Sequence, residues 1–131
     1  MNLRENGREE VLASEINQTT ECTKQLLPVN DLLALTSGKW RLYIIMGLMC
    51  VGTMRFKQLQ RAIPGLSGKV LSGELKELEI NRIVERKVYD TYPITVEYSL
   101  TEHGRTLEPV VSALREWGLR HRKKIIGTGD E

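Results

Sequence analysis

Cys22, Cys50, His103 and His121 are the only thiols and imidazoles in the chain. Structural zinc takes four ligands that usually come in close pairs, and these four residues have no paired spacing, so no metal site is expected. No glycine-rich phosphate loop occurs, and no serine sits in a nucleophile elbow. We therefore expect no cofactor and no enzymatic activity. The chemistry that remains is recognition of anions and base edges. Ser67, Lys69, Ser72, Gly73 and Lys76 fall on one side of a helical stretch whose other side is Val70, Leu71, Leu75 and Leu78. Short and donor-bearing side chains at the start of a helix suit close approach to the major groove. The same spacing also describes an ordinary solvated helix face.

Arg55 stands just before the preceding helical stretch, and Arg86 and Lys87 lie in an alternating segment. There they can meet phosphates, or simply blunt an edge strand. Cys22 could act as an oxidant sensor if a cation such as Lys24 lowers its pKa, or be a spectator thiol in an arm. Cys50 reads as a small buried hydrophobe. Trp40 and Trp117 fall on apolar stripes and read as core or interface residues.

The elements that must position these residues follow from periodicity. The 131 residues suffice for one core, and 27% charged with 40% hydrophobic residues are ordinary globular proportions. The overall charge of +2 is too small to argue for nucleic acid, but its distribution is uneven. Residues 1–21 carry two arginines against five glutamates, a net of −3, whereas residues 55–89 carry eight basic against four acidic residues, a net of +4. No signal segment or long apolar run is present, so a soluble cytoplasmic protein with no membrane partner is expected.

Residues 1–21 read as a polar N-terminal arm. Pro28 suits a helix start, with Val29, Leu32, Leu33 and Leu35 behind it. Trp40, Tyr43, Ile44, Gly47 and Leu48 repeat at helical spacing up to Gly52, and Phe56, Leu59 and Ile63 do so up to Pro64-Gly65. Ser67 caps the next helix, which runs to about residue 80, and Asn81 supplies the left-handed residue at its end. From there the period changes to two. Val84, Arg86 and Val88, then Ile94, Val96, Tyr98 and Leu100, alternate on either side of a turn at Asp90-Thr91-Tyr92-Pro93, a β-hairpin. Thr101 caps a last helix with a stripe of Leu107, Val110, Val111, Leu114 and Trp117, kinked near Pro109, and the run Arg120 to Lys124 forms its solvated end.

This order predicts an α+β, mostly helical fold: a winged helix-turn-helix with additional N- and C-terminal dimerisation helices. The C-terminal stripe is too long to bury on so small a core, so a homodimer seam is expected. The predicted organisation is an arm over 1–21, the winged helix-turn-helix domain over 22–126 and a tail over 127–131.

Several motifs together resemble the HxlR-type winged helix-turn-helix regulators of bacteria over about residues 27–118. They are Gly38-Lys39-Trp40, Arg55-Phe56 with Leu59, Ser67 with Lys69-Val70-Leu71 and Leu75, Leu78-Glu79, Arg86 with Tyr89, Pro93, Val96 through Thr101 with Gly104, and Trp117-Gly118. The resemblance implies a homodimer on double-stranded DNA, at a pseudo-palindromic operator, that controls transcription in response to an oxidant or small-molecule effector. Members of the family commonly carry a Cys-Pro pair at the position of Leu27-Pro28; here the proline is present, and the nearest thiol, Cys22, is five residues earlier. The expected recognition helix is about 67–80, the wing about 83–100, and the DNA-binding set Arg55, Ser67, Lys69, Ser72, Lys76, Arg86 and Lys87. Two alternatives stand beside this reading: a winged-helix protein-interaction module without specific DNA binding, and a thiol redox-switch regulator working through Cys22.

Overall fold

The computed structural model describes residues 3–127, with side chains at 10–12 and from 21 onward. The tail expected at 127–131 thus lies outside the described residues except for Gly127, as does the side chain of Ile16. Two units are distinguished, residues 1–37 and residues 38–131.

The first unit is built on one helix, α1 (Leu3–Leu35), with Pro28 inside it instead of at its start. Proline there removes a single donor, the one that would serve the carbonyl of Lys24. Flanking residues of good helical propensity, Gln25-Leu26-Leu27 and Leu32-Leu33-Ala34-Leu35, carry the helix through. Thr36 ends it, with both its N–H and its Oγ1 donating to the carbonyl of Leu32.

In the second unit α2 (Lys39–Val51) runs between Gly38 and Gly52, followed by β1 (Met54–Arg55), α3 (Phe56–Ala62), α4 (Gly68–Ile80), β2 (Val84–Tyr89), β3 (Thr95–Leu100), α5 (Glu102–Arg105) and α6 (Glu108–Ile126). The strands form one antiparallel sheet in the order β1-β3-β2, which is the winged helix-turn-helix arrangement. The core joins Ile44, Ile45 and Leu48 of α2 to Leu59 of α3, Leu71, Leu75 and Leu78 of α4, and Ile83, Val84 and Leu100 at the base of the hairpin. Each such side chain contributes about 1.5–3 kcal/mol by leaving water.

Three local expectations are corrected. The buried face of α2 is centred between Ile44 and Ile45, so Tyr43 is exposed, and Cys50, about 240° round from Ile44, is exposed too and not a buried hydrophobe. The left-handed residue after α4 is Arg82 (φ 61°), since Asn81 still has φ −82° and closes the helix. Its amide side chain donates to the carbonyl of Glu77. Arg82 N–H then reaches Glu79 O and Ile83 N–H reaches Leu78 O, the paired bonds of a Schellman ending, with Ile83 and Leu78 both buried behind them. Finally, the C-terminal segment breaks instead of kinking: α5 ends at Arg105, and Pro109 sits in the first turn of α6, where its missing N–H has no partner to lose.

The junction of α4, the hairpin and α5 is tied by Thr101. Its N–H donates to Ile83 O, its hydroxyl donates to Arg82 O at 2.6 Å, and the same oxygen accepts from Gly104 N–H at 2.9 Å. Gly104 lies so close that a Cβ would stand 2.2 Å from the Ile83 carbonyl oxygen. Gly104→Ala is expected to cost about 2–3 kcal/mol by forcing that backbone contact apart, read as a lower urea midpoint at unchanged slope.

Candidate nucleic-acid interface

Ser67 opens α4 in extended conformation (φ −78°, ψ 155°), and its Oγ accepts from Val70 N–H at 3.2 Å, satisfying one of the free donors of the first turn. Leu66 before it is buried. Gly65 at φ 82° turns the chain between α3 and α4, and the ring edge of Trp40 lies 3.6 Å from where a Cβ on Gly65 would stand. Trp40 itself is partly buried, edge-on to Tyr43 and covered by the Lys39 ammonium 4.6 Å from its ring centre.

α4 is divided lengthwise. Leu71, Leu75 and Leu78 face the core, while Lys69, Ser72, Gly73 and Lys76 are exposed on the far side, and the side chains of Lys69, Ser72 and Lys76 make no hydrogen bond or ion pair among the described residues. Val70, expected on the apolar face, is 38% exposed and lies at its margin. On the flank, Arg41 Nε of α2 donates to Glu74 Oε2 of α4, both side chains being three-quarters or more buried. This ion pair, absent from the sequence reading, ties the roll of α4 about its axis to α2. A separation of 33 positions between the partners leaves no local pattern to reveal it.

The sheet separates the remaining basic residues. Cross-strand register places Arg55 and Lys87 on either side of Glu97, whereas Arg86 stands beside Tyr98 in the row that begins at Met54. Alternation along a strand therefore gives Arg55 and Lys87 one face and Arg86 the other. Lys87 Nζ also lies 3.6 Å from Glu85 Oε1, and both groups are largely in water, so the pair contributes little. Arg55 belongs to β1, a strand of two residues, and its N–H donates to Gln58 Oε1 to cap α3. Arg82, exposed between α4 and the hairpin, adds a cation that the sequence reading left out. The structure thus brings Lys69, Ser72 and Lys76 together on one helix face, places Ser67 at the cap of that helix and not on this face, sets Arg55 with Lys87, and leaves Arg86 apart.

Cys22 is exposed on α1, and Lys24, two residues on, has its Nζ 3.4 Å from Glu21 Oε1, both side chains being largely in water. Trp117 is exposed and stacks on His121 at 4.8 Å. No group of three metal-ligating side chains occurs among the described residues, and none of their helices is long and apolar enough to cross a membrane.

These features define a protein of the winged helix-turn-helix class. The HxlR-like helix-turn-helix family matches residues 35–125, and the chain belongs to that family. Among its relatives is the HTH-type transcriptional regulator YybR of Bacillus subtilis (strain 168), 43% identical over 99 residues that cover 76% of this chain and 78% of the relative. The redox regulator HypR in its reduced form superposes with a TM-score of 0.71 at 40% identity, covering 76% of this chain and 98% of that one. A MarR-family transcriptional regulator from Enterococcus faecalis V583 gives 0.70 at 34% identity, covering 77% and 91%.

Proposed function

We propose that the protein is a homodimeric, sequence-specific DNA-binding regulator that sets α4 in the major groove at each half of a pseudo-palindromic operator. The observation that carries this is the division of α4, which is anchored by three leucines on the inside and an ion pair on the flank, and whose outer side chains have no intramolecular partner among the described residues. A helix held in this way presents rigid donors, and Lys69 and Lys76 have the reach for phosphate oxygens or guanine acceptors. Ser67 and Ser72 lie nearer the helix axis and suit close contacts. The β2–β3 hairpin lies along the neighbouring backbone, where Arg55, Lys87 and, from the other face, Arg86 meet phosphates. Acting on DNA, the protein works in the bacterial cytoplasm.

Dimerisation is supported by α6, in which no residue is buried although Leu114 and Trp117 are 54% and 59% exposed. On α1, Leu26, Leu27 and Leu33 are also exposed. Apolar rows of this length on a soluble chain call for a partner, and a second copy offers the same surface in return. A second reading, a thiol switch through Cys22, is favoured by the likeness to a redox regulator and adds to DNA binding without replacing it.

Fluorescence anisotropy with labelled DNA from upstream of the protein's own gene, against a scrambled duplex, tests the reading. Selective binding should weaken on the order of a thousandfold between 50 and 200 mM salt. Lys69→Ala should weaken it further and lower the salt slope by about one per subunit, with stability unchanged to about 0.5 kcal/mol; parental binding by that variant would remove α4 from the interface, and absence of salt-dependent binding to any duplex would favour a protein-interaction module. Leu114→Glu should convert a dimer to a monomer in sedimentation equilibrium. If the thiol reading holds, diamide should release DNA from the parent and leave Cys22→Ser bound.

A further inference from the structure

A cavity of about 490 Å³ opens in the second unit between α2, the end of β3 and the start of α6. Its apolar lining is formed by Met46, Leu48, Met49, Leu100 and Val111, and two arginines, Arg105 and Arg115, line it together with Glu108 and Ser112. Arg105 closes α5 and Arg115 lies two turns into α6. Neither has a carboxylate within ion-pair distance among the described residues, Glu108 included. The size is that of a small-molecule site. The wall contains two methionines, whose side chains adapt to a planar or branched guest.

We propose that this cavity binds a small apolar carboxylic acid, its ring or chain against Met46, Met49 and Leu100 and its carboxylate between Arg105 and Arg115. Charge complementarity selects this occupant. A guanidinium recognises a carboxylate through paired N–H donors, and two of them over one apolar floor match an amphipathic anion. An apolar helix laid into the same opening would cover the methionines and leave both cations unanswered. Glu108 disfavours dianions by adding one negative charge to the lining. The site is separate from the outer face of α4, and the inference does not depend on DNA binding.

Cys50 lines the cavity and is exposed, so it reports occupancy. In full-length Cys22→Ser protein, the rate of Cys50 alkylation by iodoacetamide, a neutral reagent, would be followed with 1-naphthoate and with its neutral counterpart 1-naphthalenemethanol. We expect saturable slowing of at least about fivefold by the acid, with the alcohol requiring about tenfold higher concentration, the difference that a charge-assisted contact confers. Arg105→Gln/Arg115→Gln should abolish that preference; should this variant not fold, by circular dichroism, the acid-to-alcohol ratio in the parent decides alone. No slowing, equal slowing by acid and alcohol, or a preference that survives the double substitution would overturn the proposal. So would a Cys50 that reacts only after denaturation, because protein would then fill the cavity.

Discussion

The carbonyl groups of Arg82 and Ile83 are where the second unit is held together. Thr101 reaches both, through its hydroxyl and its N–H, while its oxygen starts α5 by accepting from Gly104. Just upstream, Ile83 N–H closes the end of α4 on Leu78. One threonine thereby joins the end of one helix, the base of the hairpin and the beginning of another. Of the two, Ile83 is buried, where a carbonyl left without a donor costs about 1–3 kcal/mol, and Gly104 is the residue that lets α5 come close enough to complete the set of contacts.

With its end fixed in this way, α4 has few freedoms left. Leu71, Leu75 and Leu78 settle its depth in the core, and the Arg41–Glu74 pair settles its rotation. Ser67 starts it and the Schellman ending stops it, so its 13 residues are bounded by capping chemistry at both ends. Rigidity serves the role proposed for α4, since an ordered donor loses less entropy on meeting its partner than a mobile one.

Most of this was legible in the sequence, because the signals were local. The Ser67 cap, the glycine at 52, the leucines of α4 and the change to period two after Asn81 each follow from residues a few positions apart, and the hairpin pairs Val84 with Leu100 and Arg86 with Tyr98, in keeping with the alternation. What was missed depends on distance or on competition. Strand β1 has two residues, too few for a periodic signal. Pro28 signals a helix start, yet strong helix formers on both sides override it. Asn81 is the usual choice for a left-handed position, but the two backbone bonds after α4 need that conformation one residue later, and Arg82 bears it. The cavity beside α2 joins residues some 60 positions apart, and no spacing rule finds it.

The outer face of α4 has a consequence for how such proteins diversify. Lys69, Ser72, Gly73 and Lys76 support nothing in the fold, whereas every contact that orients the helix lies on its inner side and flank. A duplicated copy of the gene can therefore exchange these four side chains almost freely while its core remains intact. With α4 in its proposed role, recognition can drift at little thermodynamic cost, so a lineage can accumulate many sister proteins with one architecture and separate targets.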